Sequence, residues 1–257
     1  MGIQTFRFFL HSPPNWHLLS FIFFATICSY SFHWYLTSHS VIPSPRVSWT
    51  VRHKSIHLFL FLIGLTGATI FFFLLIDYWL WLLIAAIITF LYSAPKIPHP
   101  YFRVLRKVAL GKTIFLAMVW MYVTTILPII ISQQPWTSYF LLFIFSRFFL
   151  IYAICILFDL RDREDDKAAG IRSLITFLNQ RNIFIAFIFT LLLFVIATLW
   201  LLQYGYQWPS ILILLIPGVI VASLYNYAKT NFSDMLYYFI LDGLMAFSAI
   251  LMLISGI

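Results

Sequence analysis

The sequence predicts an all-α membrane protein, a polytopic bundle of about eight transmembrane helices. Composition is the first reason: hydrophobic residues make up 63% of the 257 residues and charged residues only 9%, whereas a soluble domain is roughly one-quarter charged. Such a chain has too little polar surface to cover itself in water, so much of its surface must face lipid. Helices are expected because they satisfy their own backbone groups in lipid, and the alternating pattern of a membrane barrel is absent.

Hydrophobic runs predict the positions of the helices, because a spanning helix needs about 20 mostly apolar residues. Eight runs meet this requirement, at about residues 16–37, 55–76, 78–94, 111–132, 137–158, 182–203, 207–226 and 235–256. We therefore expect one transmembrane domain over residues 1–257, with loops on one side of the membrane at about 38–54, 95–112, 159–181 and 227–234.

Basic residues predict the orientation of these helices. Fourteen of the 16 Lys and Arg residues fall in the loops of one face, and only Arg7 and Arg147 lie elsewhere. The positive-inside rule makes that face cytoplasmic and both termini external, as in an integral protein of a bacterial inner (plasma) membrane. Orientation and phosphate binding explain the net charge of +8, so we expect membrane lipid and no nucleic acid as a partner.

The acidic residues are concentrated in one short run. Residues 159–166 contain five of the eight Asp and Glu residues, and Asp159, Asp162 and Asp166 are spaced i, i+3 and i+7. On a continuous helix this spacing places all three carboxylates on one face. Mg²⁺ is the cation that such hard oxygen ligands favour, often shared with a substrate's phosphates. The alternative is a solvated loop whose basic residues only neutralise their acidic neighbours.

Two segments resemble those of a known family. Residues 159–174 are similar to the second aspartate-rich motif of the UbiA superfamily of intramembrane prenyltransferases, roughly D-x-x-D-x-x-x-D-x-x-x-G-x-[KR]-[ST], and residues 91–96 resemble its L-Y-S-x-P segment. The resemblance implies a helical bundle around a central cavity. It also implies an Mg²⁺-dependent enzyme that transfers an isoprenoid from a prenyl diphosphate to an aromatic or otherwise lipophilic acceptor.

The resemblance also implies roles for individual residues of this chain. The carboxylates of Asp159, Asp162 and Asp166 would be catalytic and linked to the metal. The residues implied in binding the substrate and its diphosphate are Lys96, Arg106, Lys107, Arg172, Tyr92 and His33.

The chain departs from the family at the first motif, roughly N-D-x-x-D. Ser29, Tyr30 and His33 take the positions of the Asn and the two Asp residues. His33 is a poor Mg²⁺ ligand; it is either an interfacial hydrogen-bonding residue or, if protonated, a phosphate contact. Two alternatives follow: a diverged enzyme that cyclises or hydrolyses prenyl diphosphate, or a non-catalytic lipid-binding protein.

The first span resembles the second helix of the family. One N-terminal helix is therefore expected to be missing, either because the true start lies upstream or because the protein is naturally trimmed.

Two charged residues fall inside predicted spans, Arg147 and Asp242. Charges at membrane depth are costly, so we expect these two either to pair with each other or to line a cavity. Tyrosines near the predicted interfaces, among them Tyr225, Tyr237 and Tyr238, are expected to form an aromatic belt, although some can line an isoprenoid cavity instead.

Overall fold

The computed structural model describes residues 1–36, 45–94, 97, 99, 101, 112–168 and 174–256. Eight helices in these residues are long and apolar enough to cross a membrane, and the described part of the chain contains no strand. The predicted fold class, an all-helical polytopic membrane protein with eight spans, is confirmed.

The spans are labelled α1 to α8. Their α-helical bounds are α1 Trp16–Tyr35, α2 Lys54–Leu74, α3 Trp79–Ser93, α4 Lys112–Met121 with its continuation Leu127–Ile131, α5 Ser138–Ala168, α6 Gln180–Trp200, α7 Trp208–Ala228 and α8 Asp242–Ser255. Adjoining turns lengthen three of the spans, so that these run over Ile76–Ser93, Gln180–Tyr204 and Met235–Ser255. The remaining helical pieces are Gly2–Gln4, Pro45–Arg52 and Leu174–Phe177, the 3₁₀ turns Ile76–Tyr78 and Leu201–Tyr204, and the π-helical turns Thr5–Phe9, Tyr122–Ile126 and Met235–Leu241.

Local sequence explains several helix boundaries. Asn15 and Asn179 cap α1 and α6, because each side chain accepts a hydrogen bond from a backbone N–H of the first turn, at 3.0 and 2.8 Å. The π-helical turn Tyr122–Ile126 of α4 precedes Pro128. Proline lacks a backbone N–H and clashes with the turn before it, which is where such a widened turn is expected.

Helix α5 continues well past its predicted end near Phe158 and stops at Ala168. The acidic run is therefore helical up to this residue, and the solvated-loop alternative does not describe residues 159–168. An ion pair in the last turns supports the helix, since Lys167 Nζ lies 2.9 Å from Glu164 Oε1 at a spacing of three residues. No glycine or proline interrupts the run before Gly170.

The described residues group into two compact units. The larger comprises described residues of 1–13, 113–163 and 173–257, and the smaller those of 14–112 and 164–172. The prediction of one domain over the whole chain stays a prediction. The core of the larger unit joins α5 to α6, α7 and α8 through buried side chains such as Leu157, Phe187, Val221 and Leu244.

In the smaller unit, α1 and α2 approach each other closely at two glycines of α2. A Cβ atom at Gly64 would lie 2.5 Å from the backbone nitrogen of Cys28, and one at Gly67 would lie 2.3 Å from the ring of Phe24. Small residues permit such close packing of membrane helices, which supplies much of their attraction in lipid. A larger side chain is tolerated less well at Gly64 than at Gly67, because the backbone atoms of α1 cannot rotate away as the ring of Phe24 can.

We expect the substitution Gly64→Ala to lower the free energy of unfolding by roughly 1–3 kcal/mol, the usual effect of an extra methyl group in a tight contact. Thermal unfolding of the purified protein in detergent measures this loss. Gly243→Ala in α8 is the matched control, because a Cβ atom at Gly243 would meet nothing within 4 Å. Equal melting temperatures for the two variants would contradict the close approach of α1 and α2.

Candidate functional site

The first aspartate of the acidic run, Asp159, is almost fully buried in the larger unit, with 5% of its surface exposed. Thr113, at the start of α4, donates its hydroxyl proton to Asp159 Oδ2. Thr113 is itself buried, at 4% exposure. A carboxylate removed from water needs such a donor, because an unpaired buried charge is very costly. The contact also fixes the start of α4 against the middle of α5.

The second aspartate, Asp162, is paired with the neighbouring Arg161. Arg161 Nε lies 2.8 Å from Asp162 Oδ1, and 31% of the Asp162 side chain is exposed. The guanidinium carbon of Arg161 lies 5.2 Å from the ring centre of Phe158, 4.6 Å from that of Tyr237 and 5.0 Å from that of Tyr238. We call these three rings the aromatic clamp. Asp162 therefore combines a fixed cationic partner with access from outside the protein.

The third aspartate, Asp166, is buried, with 5% of its surface exposed. It follows Asp159 by two helical turns on the continuous α5, so the spacing puts the three carboxylates on one side of this helix. Glu164 and Lys167 form their ion pair on exposed surface of the same segment.

The chemistry of these donors fits Mg²⁺ shared with a phosphate-bearing substrate. Among the residues that the structure describes, no group of three or more His, Cys, Asp or Glu side chains is arranged to hold a metal ion. Mg²⁺ does not require such a cage, since it usually binds one or two carboxylates together with water and substrate phosphates. Asp162, whose carboxylate is partly exposed, is the member of the run best placed for this kind of ligation.

Two other predicted residues meet in the smaller unit. The imidazole of His33, near the end of α1, stacks on the ring of Tyr92 in α3, with ring centres 5.2 Å apart and an angle of 16° between the planes. His33 Nδ1 also lies 3.4 Å from the hydroxyl oxygen of Ser93. The structure therefore joins the altered first motif to the L-Y-S-x-P segment, as a paired imidazole and phenol. Tyr30, at the other altered position, is 43% exposed.

The predicted basic ligands lie outside the described residues. They are Lys96, Arg106, Lys107 and Arg172. Their assignment to the diphosphate stays a prediction.

Arg147 is buried in α5 and does not pair with Asp242. Its guanidinium carbon lies 5.3 Å from the ring centre of Phe143 and 5.7 Å from that of Phe194. Its Nη atoms donate to the hydroxyl oxygens of Ser146 and Ser248, at 3.0 and 3.4 Å.

No ion pair joins Arg147 to Asp242 within the described residues, so of the two sequence-based alternatives the mutual pair is wrong. Aromatic faces and hydroxyl groups stabilise the charge of Arg147 in place of a carboxylate.

Sequence reasoning missed several residues of this site. The contact of Thr113 with Asp159 cannot be predicted from the sequence, because 46 positions separate the two residues and a threonine at a helix start is common. The sequence pattern leaves Tyr237 either in an interfacial belt or in a cavity wall. The structure buries it fully against Arg161, and its hydroxyl donates to the carbonyl of Ala228 at 2.8 Å. The pair of consecutive tyrosines, 237 and 238, was the one available hint.

We expect Thr113→Val to lower the free energy of unfolding by about 1.5–3 kcal/mol, because it removes a hydrogen bond to a buried charged group at nearly constant volume. Thr113→Ser keeps the hydroxyl and should retain most of the stability. Denaturant unfolding in detergent measures both variants.

Thr190→Val is the matched control for this substitution. Thr190 is equally buried, at 4% exposure, but its hydroxyl donates to the carbonyl of Ala186 in its own helix. That carbonyl already accepts a backbone hydrogen bond within α6. Losing the hydroxyl of Thr190 should therefore lower the free energy of unfolding by less than losing that of Thr113. If Thr113→Val is no more harmful than Thr190→Val, the hydroxyl of Thr113 does not stabilise Asp159.

Comparison with known proteins agrees with the two motifs. The family model of the UbiA prenyltransferase family matches residues 36–248, which include the acidic run of α5 and the L-Y-S-x-P segment. No match was found among curated proteins or among solved structures. Because the family model covers most of the chain, this integral membrane protein belongs to the UbiA prenyltransferase family.

Proposed function

We propose that this protein is a Mg²⁺-dependent prenyltransferase that moves an isoprenoid from a prenyl diphosphate to an aromatic or otherwise lipophilic acceptor. The observation that carries the proposal is the continuous helix α5, which bears Asp159, Asp162 and Asp166 at helical spacing. Membership in the family supports transferase chemistry in a membrane. The basic loops, and with them the acidic motif, would face the cytoplasm, where soluble diphosphates are available.

The aspartates of α5 would hold Mg²⁺ together with the diphosphate of the donor. When bound, Mg²⁺ neutralises the negative charge that develops on the leaving diphosphate. Asp162 would provide an accessible carboxylate oxygen, and Asp159 and Asp166 are proposed as further oxygen donors of the same helix. Arg172, Lys96, Arg106 and Lys107 are proposed to contact phosphate oxygens, Arg172 with the planar fork that suits them best.

The bond changes of the proposed reaction balance without an oxidant or reductant. The bond between C1 of the prenyl chain and the diphosphate oxygen breaks, and the diphosphate keeps the electron pair. A nucleophilic atom of the acceptor forms a new bond to C1 and afterwards loses a proton. The apolar, aromatic-rich membrane domain would exclude water from the allylic cation and stabilise its charge through ring faces.

The altered first motif supports a second candidate function. Tyr30 and His33 stand where the family pattern has two aspartates, and His33 stacks on Tyr92 of the L-Y-S-x-P segment. A site with one acidic motif would bind fewer Mg²⁺ ions than a site with two. This difference favours a diverged enzyme that hydrolyses or cyclises the prenyl diphosphate. A non-catalytic lipid-binding protein is the third possibility. Product analysis separates these functions: an alkylated acceptor, a free alcohol or cyclic hydrocarbon, or no product at all.

The decisive experiment incubates the purified protein with Mg²⁺ and labelled prenyl diphosphates of several chain lengths, with and without aromatic acceptors. We expect diphosphate release and transfer of the label. Asp162→Asn and Asp166→Asn should each lower the rate by at least about 100-fold, because each would weaken the binding of the Mg²⁺ that stabilises the negative charge developing on the diphosphate.

Glu164→Gln is the matched control for these variants, because Glu164 is exposed on the same segment and pairs only with a surface lysine in the described contacts. Its rate should stay near that of the wild type. Absence of both binding and turnover with every chain length would contradict the enzymatic proposal, and full activity of Asp162→Asn would contradict the role of the motif.

A further inference from the structure

Arg161 makes a contact that helix geometry alone does not provide. Adjacent residues of an α-helix do not face each other on its surface, yet Arg161 Nε lies 2.8 Å from Asp162 Oδ1. The ion pair of Arg161 with Asp162 is therefore not a consequence of helix spacing alone.

The aromatic clamp of Phe158, Tyr237 and Tyr238 supports this ion pair. Phe158 precedes Arg161 by one helical turn on α5, and the two tyrosines lie in the turn Met235–Leu241. All three ring centres are within 5.2 Å of the guanidinium carbon. Planar guanidinium groups stack well on such rings, whereas an ammonium group does not. Only 9% of the Arg161 side chain is exposed, so the contact is shielded from water and from salt.

Two structural details hold the clamp itself in place. Tyr237 is fully buried, and its hydroxyl donates to the carbonyl of Ala228 at the end of α7. Both tyrosines lie in the π-helical turn Met235–Leu241. Two consecutive rings contact the same guanidinium there, and π-helical turns occur often at functional sites. Arg161 Nη1 is buried without a hydrogen-bond partner in the described residues, so ring faces hold much of this group.

We propose that Arg161 is a positioning residue: the aromatic clamp holds its guanidinium so that it fixes the Asp162 carboxylate for a Mg²⁺ ion shared with the diphosphate. The inference rests on the proposed function, since Asp162 must ligate the metal. Asp162 is partly exposed, and an unsupported carboxylate at such a place samples several rotamers. A fixed partner selects one of them before the substrate arrives.

The test compares the Mg²⁺ dependence of variants in the purified, detergent-solubilised protein. Arg161→Gln should raise the Mg²⁺ concentration for half-maximal diphosphate release by about 10-fold or more, as loss of an outer-shell partner typically does. Arg161→Lys should recover part of this loss, because it keeps the charge without the planar fork. Arg163→Lys is the matched control, since the guanidinium of Arg163 donates to the carbonyl of Leu178 at 2.8 Å; its Mg²⁺ dependence should not change.

A second measurement does not depend on turnover. Binding of Mn²⁺, followed by electron paramagnetic resonance in the presence of a non-hydrolysable prenyl thiolodiphosphate, should weaken in Arg161→Gln by a similar factor. Tyr238→Leu removes one ring of the aromatic clamp without changing any charge. Because Tyr238 is partly exposed, this variant should fold, and it tests the role of the clamp if Arg161→Gln does not fold. It should weaken Mn²⁺ binding in the same direction.

The outcomes separate this inference from the proposed function. If the wild type binds Mn²⁺ with the analogue but Arg161→Gln or Tyr238→Leu binds it equally well, Arg161 is only a structural link between α5 and the Met235–Leu241 turn and the inference is overturned. If the wild type itself neither binds Mn²⁺ with the analogue nor releases diphosphate, the proposed function fails, and the role of Arg161 in positioning a metal ligand fails with it.

Discussion

Each charged group that α5 carries near the hydrocarbon must be compensated within the protein, because lipid offers no water for this purpose. Arg147 lies against two aromatic rings and two hydroxyl groups, Asp159 accepts a hydrogen bond from Thr113, and Asp162 is paired with Arg161. The partners come from α5 itself and from α4, α6 and α8. The same contacts that neutralise charge therefore fix the helix that carries the acidic motif.

Asp162 is the exposed member of the three aspartates on α5. Asp159 and Asp166 are each only 5% exposed, whereas 31% of the Asp162 side chain is exposed. A carboxylate that binds Mg²⁺ together with an incoming diphosphate has to be accessible. Asp162 is therefore the aspartate best placed for the proposed chemistry, and the two buried aspartates would act from within the protein.

The altered first motif bears on which reaction the site favours. Tyr30 and His33, which stand at the two aspartate positions, cannot replace two carboxylates as Mg²⁺ ligands, because the metal prefers hard, charged oxygen donors. His33 stacks on Tyr92 instead. They can offer hydrogen bonds and an aromatic surface to a phosphate or an isoprenoid. The proposed enzyme would therefore depend more on the α5 carboxylates and their supports than a relative with both motifs does.

The fold class, the eight spans and the spacing of the three aspartates can be predicted from the sequence alone. These features depend on local hydrophobicity and on the period of one helix, and both are visible in a short window of residues. The contacts between side chains follow only from the packing of the helices: Thr113 with Asp159, the aromatic clamp with Arg161, and Arg147 with rings and hydroxyl groups in place of Asp242. Spans that are apolar on all sides do not mark their inward face. The rotation of each helix about its axis, and with it every contact between helices, is therefore set by packing in three dimensions.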